Sequence, residues 1–339
     1  MTIQAFNEEV ITEASNHLNQ LTKPVGSLGR LEQLAIQLAG ITGEMRPTIE
    51  KPAIIVAAAD HGIVEEGVSA YPQAVTALMV DNFVKGGAAI NVFGRQIGAP
   101  VYVVDVGINA NLEHQPIEHQ KVKYGTNNFY KEDAMSEKDV EAAIEVGRLI
   151  ASKRISEGHK VLITGEMGIG NTTSSSALIA AFTGIDVEKV VGTGTGIDQT
   201  GKQRKITIIK ESLHKRGITN TLSPIQVVAK IGGLEIAALT GVILEGAEKK
   251  IPVIIDGLIS SAAALVASEL VPEVRPYLLI AHQSAEPGHH LLLNYLGVSP
   301  LLHLNLRLGE GTGAALAYPL LEAASRVMKE MATFKDIGL

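Results

Sequence analysis

Short, almost wholly apolar runs recur along the middle of the chain, and each ends at a polar residue or a glycine. They lie at Ala53–Ala59, Val101–Val104, Val161–Ile163, Val253–Ile255 and Tyr277–Ala281. Stretches with helical spacing of apolar residues separate these runs. Continuous apolar strands that alternate with helices are typical of a parallel sheet covered on both faces. The pattern therefore predicts an α/β fold, with a mainly parallel, Rossmann-like sheet flanked by helices.

The two ends of the chain have helical patterns instead. Residues 4–45 are interrupted by a turn-rich link at Lys23–Gly29, and an Ala- and Leu-rich helix is predicted from Gly313 to about Met331. We predict that the ends pack together as a small helical lobe of residues 1–45 and 313–339. Residues 46–312 would then form a large α/β domain, in which the polar segment 108–135 is an extended surface excursion.

Potentially reactive side chains follow the predicted strands. They are Asp60, Asp105, Glu166, Asp256 and His282. Ligands bind outside the carboxyl ends of the strands in sheets of this kind, so we predict a shared active site at that edge. For any one of these residues, the alternative is a short polar side chain that merely ends a strand.

Composition narrows the class of protein. Hydrophobic residues make up 46% of the 339 residues, which is enough for a sizeable core. Aromatic residues make up only 4% and the formal net charge is −7, so nucleic acid is not an expected partner. The absence of cysteine excludes disulfides, thiolate metal sites and a cysteine nucleophile. The polar start lacks a signal-peptide pattern, and no apolar run reaches the ~20 residues of a membrane span, so we expect a cytoplasmic protein without a membrane partner.

The first glycine-rich motif, GEMGIGNTT at Gly165–Thr173, directly follows a predicted strand. Its glycine spacing is that of a phosphate-binding P-loop, but Asn171 stands where the P-loop lysine would be. Glu166 would also repel a triphosphate, so an NTPase is disfavoured. Backbone amides at a helix N-terminus can still hold one monophosphate, and a tight strand-to-helix turn is the alternative.

The second motif places glycines at Gly192, Gly194 and Gly196. Small alternating residues let the backbone approach a ligand and turn several N–H groups towards an anion. Lys202, Arg204 and Lys205 follow and could add positive charge, although a solvated helix face is the expected role for at least two of them.

The third motif places a carboxylate, Glu310, between Gly309 and Gly311 before an Ala- and Leu-rich helix. The glycines leave this side chain free to meet a substrate. A partly dry pocket would raise its pKa and make it a general base near neutrality, whereas the helix N-terminus would lower it. The sequence leaves this balance open, and a simple capping role is the alternative.

The stretch from His282 to His290 has no zinc-binding spacing, and Pro287-Gly288 breaks any helix that could align two ligands. We expect hydrogen-bonded loop histidines there and no metal. Asp60 and His61 could form an acid–base pair or simply a turn.

Seven ordered segments together resemble the nicotinate-nucleotide–dimethylbenzimidazole phosphoribosyltransferase family, which makes the lower-ligand nucleotide of cobalamin. The segments are LTKPVGSLGRLE at Leu21–Glu32, AADHGIVEEGVSAYPQAVT at Ala58–Thr76, NFVKGGAAINV at Asn82–Val92, GEMGIGNTT at Gly165–Thr173, GTGTGID at Gly192–Asp198, AHQSAEPGH at Ala281–His289 and LNLRLGEGTGAALA at Leu304–Ala317.

The resemblance implies transfer of the phosphoribosyl group of nicotinate mononucleotide to 5,6-dimethylbenzimidazole or a related base, without a cofactor. It implies a homodimer with small-molecule substrates. The family's catalytic base corresponds to Glu310. Its substrate-binding positions correspond to Glu166, Gly168, Gly192, Gly194, Gly196, Lys205 and Ser69, of which Ser69 belongs to the base pocket.

Two other functions remain open from the residues. An N-glycosyl hydrolase would use water in place of the aromatic base. A non-catalytic nucleotide-binding regulator would bind the mononucleotide and form no product.

Overall fold

A six-stranded sheet, in which neighbouring strands pair in parallel, forms the centre of the protein in the computed structural model, which describes residues 2–339. The strands are Pro52–Ala59 (β1), Val101–Gly107 (β2), Glu118–His119 (β3), Val161–Met167 (β4), Val253–Ile255 (β5) and Leu278–Ile280 (β6). Their order in the sheet is β3-β2-β1-β4-β5-β6. All eight residues of β1 are buried, which explains its unbroken apolar sequence. The predicted α/β class with a parallel sheet is confirmed.

Helices connect the strands and cover both faces of the sheet. They are Glu8–Gln20 (α1), Arg30–Thr42 (α2), Val75–Val84 (α3), Ala89–Gln96 (α4), Glu137–Ser156 (α5), Asn171–Thr183 (α6), Val187–Val190 (α7), Gln199–Lys215 (α8), Pro224–Ile231 (α9), Leu234–Glu248 (α10), Leu258–Leu270 (α11), Pro287–Leu296 (α12) and Thr312–Glu330 (α13), with 3-10 turns at Gly62–Glu66, Pro272–Tyr277 and Lys335–Ile337. The most deeply buried of the long helices is α10, which packs on α5, α11 and the sheet.

The strand order reverses between β1 and β4. From β1 the chain proceeds to β2 on one side, whereas β4 leads to β5 and β6 on the other. Such a reversal opens a crevice outside the carboxyl ends of the two central strands. His61 and Gly168, which follow β1 and β4, lie at this crevice.

Two predicted strand ends were wrong. β2 continues through Asp105 to Gly107, and β4 continues through Glu166 to Met167, so these two acids lie within strands. The prediction that residues 108–135 form an extended surface excursion is also only partly correct. It contributes β3, and Phe129 is fully buried, because backbone groups of this segment pair with β2 and with His61.

Helices from the two chain ends contact one another. α13 packs against α1 and α2, and it also packs against α4, β4 and β5. The division into a lobe of residues 1–45 and 313–339 and a domain of residues 46–312 stays a prediction. Within residues 2–339, no helix is long and apolar enough to cross a membrane.

Candidate active site

Glu310 lies in an unusual stretch of backbone at the carboxyl edge of the sheet. Gly309, Glu310 and Gly311 all have positive φ, at 85°, 64° and 95°. A left-handed conformation costs a non-glycine residue about 1–2 kcal/mol. Glycine is required beside it, because a Cβ at position 309 would overlap with Glu166 Oε1. The turn presses the Glu310 backbone against β4, where a Cβ at Gly165 would overlap with the Glu310 carbonyl oxygen.

The Glu310 carboxyl group is buried beside the N-terminus of α4. Its Oε2 accepts a hydrogen bond of 3.4 Å from the N–H of Ile90, in the first turn of that helix. Burial raises the pKa of Glu310, the Ile90 N–H opposes the shift, and the charge of Asp256 adds to it. The balance left open by the sequence therefore favours a raised pKa. A carboxylate of this kind accepts a proton near neutral pH more readily than an exposed one.

Asp256 holds this turn in place. Its two carboxylate oxygens accept hydrogen bonds from the N–H groups of Gly311, at 3.2 Å, and Ala314, at 2.9 Å. They thereby cap the N-terminus of α13. His282 Nε2 lies 3.6 Å from Asp256 Oδ1. Asp256 and His282, both predicted at strand ends, thus support Glu310.

Glu166 is a buried acid on the other side of the same turn. Burial, followed by the charges of Glu235 and Asp256, raises its pKa to about 8, and hydrogen bonds from the Asn171 side chain and the Glu310 backbone oppose the shift. Asn171, which occupies the place of a P-loop lysine, donates its amide to Glu166 Oε2. Near pH 7 this acid is therefore mostly protonated, and a nearby cation would favour its ionised form.

Lys205 provides a buried cation on α8. Its Nζ donates a hydrogen bond of 2.8 Å to Thr172 Oγ1. Burial lowers the pKa of Lys205 to about 8, although the Glu286 carboxylate raises it. Of the three basic candidates after the second glycine motif, Arg204 is exposed, Lys202 is half-buried and Lys205 is buried. Asn171 and Thr172 are consecutive, so the start of α6 contacts both Glu166 and Lys205.

The second glycine motif lies against Lys205 and Glu286. Gly194 and Gly196 have φ values of 51° and 106°. The Gly194 N–H donates to Glu286 Oε1 at 3.0 Å, and a Cβ at Gly192 would overlap with the same carboxylate. A Cβ at Gly194 would lie 3.3 Å from Lys205 Nζ. Glycine is therefore needed where this backbone meets the two charged side chains.

Ser69 reaches this motif from the segment after β1. Its hydroxyl lies 3.2 Å from Thr195 Oγ1, which also accepts the N–H of Ala70 at 3.0 Å. Gly168 lies deeper in the crevice, where a Cβ would overlap with the carbonyl oxygen of Ala59. The structure therefore joins Ser69, Lys205 and the Gly192–Gly196 loop on one side, and Glu166 with the Glu310 turn on the other.

His289 is hydrogen-bonded by both ring nitrogens. Nε2 lies 2.8 Å from Ser261 Oγ, and Nδ1 accepts the Ser284 N–H at 2.8 Å. Burial, with a smaller effect of His282, lowers the pKa of His289 to about 3, so the ring is neutral. In the described part of the chain, no three histidine, aspartate or glutamate side chains are grouped so that they could hold a metal ion.

Sequence reasoning missed two residues of this site, Thr172 and Glu286. Thr172 follows the asparagine that replaces the P-loop lysine, so its position in the motif could have indicated a contact with a ligand or a cation. Glu286 precedes Pro287 at the start of α12, but its partner Gly194 is 92 residues away. No local pattern indicates that pairing.

Known proteins resemble the chain over its whole length. A family model described as phosphoribosyltransferase matches residues 3–339. Proteins named nicotinate-nucleotide–dimethylbenzimidazole phosphoribosyltransferase include one from Halalkalibacterium halodurans, 48% identical over 100% of this chain and 94% of its own length. Another, from a Roseiflexus species, is 51% identical over 99% of this chain and 96% of its own. The crystal structure of CobT from Thermus thermophilus has a TM-score of 0.94 and 45% identity, covering 98% of this chain and 99% of that one.

Proposed function

The chain belongs to the nicotinate-nucleotide–dimethylbenzimidazole phosphoribosyltransferase family, and we propose how the residues at the carboxyl edge of its sheet carry out the transfer. The enzyme moves the phosphoribosyl group of nicotinate mononucleotide to 5,6-dimethylbenzimidazole or a related base. The products are nicotinate and α-ribazole 5′-phosphate, for the nucleotide loop of cobalamin. A ring nitrogen of the incoming base bonds to C1′, and the bond from C1′ to the pyridinium nitrogen breaks with its electron pair passing to the pyridine.

Glu310 is the general base of this proposal. The incoming base carries an N–H proton that it must lose once its other nitrogen is bound to the sugar. The observation that carries the assignment is a buried carboxyl group with a raised pKa, held by a left-handed turn at the carboxyl edge of the sheet. The leaving pyridine departs as a neutral ring, so its departure requires no acid catalyst.

Lys205 and the glycine loop Gly192–Gly196 bind the phosphate. The ammonium group supplies the positive charge, and the backbone N–H groups of the loop supply donors. Ser69, which contacts Thr195 of this loop, belongs to the pocket for the incoming base. Gly168 lets the backbone after β4 pack directly against Ala59, and we assign this backbone to the substrate-binding crevice between β1 and β4. Holding both reactants in place accounts for a large share of the rate, up to ~7–11 kcal/mol in well-oriented reactions.

Glu166 stabilises positive charge at the sugar. The substrate enters with a cationic pyridinium ring, and C1′ gains oxocarbenium character as the bond to that ring breaks. A buried carboxylate near the sugar stabilises such a positive charge more strongly than an exposed one, because electrostatic interactions are stronger in a low-dielectric site. Because the pKa of Glu166 is about 8, a cation beside it would favour the charged form of the side chain.

The test is an assay of the purified protein with nicotinate mononucleotide, with and without dimethylbenzimidazole. We expect nicotinate release that requires the base and matches the α-ribazole 5′-phosphate formed. Release without the base indicates a hydrolase, and nucleotide binding without product indicates a regulator; either result contradicts the proposal. A competition among dimethylbenzimidazole, another benzimidazole, adenine and a phenol, with the products separated by mass, identifies the preferred acceptor.

We also propose that the enzyme is a cytoplasmic homodimer. Two large apolar side chains in the segment before Glu310, Leu304 and Leu308, are 50% and 57% exposed in the single chain. Their exposure fits a surface that a second subunit covers. Sedimentation equilibrium should give twice the mass of one chain, and cell fractionation should recover the protein with the cytoplasmic enzymes.

A further inference from the structure

His61 lies fully buried at the end of β1 and has a partner on each ring nitrogen. Nδ1 lies 2.9 Å from Ser174 Oγ, and Nε2 lies 2.6 Å from Glu235 Oε1. Ser174 and Glu235 are also fully buried. They belong to the first turns of α6 and α10, so one imidazole ring joins a strand and two helices that are 113 and 174 residues away in sequence.

The ring is enclosed by glycines. A Cβ at Gly168 would lie 3.3 Å from His61 Nε2, and a Cβ at Gly170 would lie 3.1 Å from His61 Cβ. A Cβ at Gly233 would overlap with His61 Cε1. A side chain at Gly168 or Gly233 would therefore crowd the ring. The backbone of residues 168–170 therefore rests directly on His61.

Both hydrogen bonds of this cluster are made by the His61 ring. The Glu235 carboxylate accepts a hydrogen bond from the Nε2–H of His61. His61 Nδ1 is hydrogen-bonded to the Ser174 hydroxyl. Removal of the Ser174 hydroxyl would leave a buried ring nitrogen without its partner.

The first turn of α6 carries the two residues that contact the charged side chains of the site. Asn171 binds Glu166 and Thr172 binds Lys205, and both lie within three residues of Ser174. Movement of this turn away from β1 would therefore take the side-chain partners of both Glu166 and Lys205 out of position. A displacement of about 1 Å in a reacting geometry can reduce a rate about 100-fold.

We propose that His61, with Ser174 and Glu235, is a positioning cluster: it fixes the first turn of α6 and the glycines before it against β1, and it holds the Glu235 carboxylate near Glu166. The cluster acts through Glu166 and Lys205 and does not contact the reacting atoms itself. The inference rests on the roles of Glu166 and Lys205 in the proposed function.

Ser174→Ala and Ser175→Ala form a matched pair to test it. Ser175 lies next to Ser174 in α6 and is equally buried, but its hydroxyl has no hydrogen-bond partner among the described residues. We expect Ser174→Ala to lower kcat/KM at least tenfold at 25 °C and Ser175→Ala to change it less than twofold. Thermal unfolding followed by circular dichroism checks that both variants are folded at the assay temperature.

The variant Glu235→Gln provides a second test, in which the pH dependence of kcat/KM is measured. If the cluster only stabilised the fold, this substitution would leave that pH dependence unchanged. The amide oxygen can still accept from His61 Nε2–H, so kcat/KM at its plateau should stay within threefold of wild type. The charges that raise the pKa of Glu166 are those of Glu235, on α10, and Asp256, after β5; the groups that lower it are Asn171 on α6 and the Glu310 backbone. Loss of the Glu235 charge should lower the pKa of Glu166. The midpoint at which kcat/KM rises with pH should therefore shift to lower pH.

Equal activity of the two serine variants overturns the proposal, as does a Glu235→Gln midpoint that stays at the wild-type pH. If Ser174→Ala is unfolded at 25 °C, the pH dependence of kcat/KM of Glu235→Gln alone tests the proposal. Wild-type enzyme is assayed in parallel with nicotinate mononucleotide and dimethylbenzimidazole. Its failure to release nicotinate contradicts the proposed function, whereas a working wild-type enzyme with unaffected variants contradicts only the positioning cluster.

Discussion

Raising the pH from 7 to 9 should weaken the binding of a sugar phosphate about tenfold, because Lys205 loses its proton in that interval. Burial lowers the pKa of Lys205 to about 8 against the opposing effect of Glu286. About nine-tenths of the Lys205 side chains are then charged at pH 7 and about one-tenth at pH 9. The phosphate is a dianion throughout this range, since its second pKa is about 6. The change in affinity therefore reflects the protonation of the protein and not that of the phosphate.

Ribose 5-phosphate is the ligand of choice for this measurement. It lacks the cationic ring, so the ionisation of Glu166 contributes less to its binding. Isothermal titration calorimetry at pH 7, 8 and 9 gives the affinities. A bound dianion raises the pKa of the ammonium group, so binding at pH 8 should also take up about half a proton per ligand. Titration in buffers with different ionisation enthalpies measures that uptake.

Lys205→Met is the control. It should bind ribose 5-phosphate weakly at every pH, with no proton uptake. A wild-type affinity that is constant from pH 7 to pH 9 would refute the assignment of the phosphate anchor to Lys205. So would a Lys205→Met variant that keeps the wild-type pH dependence.

Three further substitutions test the remaining acids. Glu310→Gln should lower turnover at least about 100-fold in the nicotinate-release assay, with little change in the affinity for nicotinate mononucleotide, because it removes only the proton acceptor. Glu286→Gln removes the charge that raises the pKa of Lys205, so calorimetry should show the loss of ribose 5-phosphate binding at lower pH than in wild type. Glu166 has a folded-state pKa of about 8 against an ordinary value of 4.5, so the stability it contributes is complete below about pH 4.5 and is lost as the pH rises towards 8. Urea unfolding of Glu166→Gln should therefore depend less on pH between 5 and 8 than that of wild type.

The apolar runs predicted the sheet well because burial on both faces leaves few polar positions within its strands. β5 has the predicted bounds, and β1 begins one residue earlier than predicted. The polar residues Asp105 and Glu166 were wrongly interpreted as strand ends. Each is buried within its strand because its side chain has partners: Asp105 accepts the Ile108 N–H and lies 3.3 Å from Lys121 Nζ, and Glu166 binds Asn171. Polarity alone does not distinguish a strand end from a buried, paired acid.

The sequence indicated which glycine motifs form the candidate site, because each motif is local. It did not indicate their partners. Ile90 and Glu310 are 220 residues apart, and Gly194 and Glu286 are 92 residues apart. These contacts depend on how helices pack around the sheet, which periodicity does not specify. The direction of the Glu310 pKa shift also required the structure, since burial and a helix N-terminus oppose each other there.

The charges of the candidate site suggest how it distinguishes substrate from product. Near pH 7 Glu166 is mostly neutral, because its pKa is about 8, and Lys205 is more easily deprotonated than an exposed lysine. In the proposed binding mode, nicotinate mononucleotide brings a dianion towards Lys205 and a cationic ring towards Glu166, so each end of the substrate favours the charged form of the side chain that it meets. After the transfer the departing pyridine ring is neutral, and so is the attached base once its proton has passed to the proposed general base, Glu310. The phosphate contact persists in α-ribazole 5′-phosphate, but the attraction between Glu166 and a cationic ring is gone. In the proposed mechanism, the carboxylate that stabilises the developing positive charge therefore holds the products less strongly than the substrate.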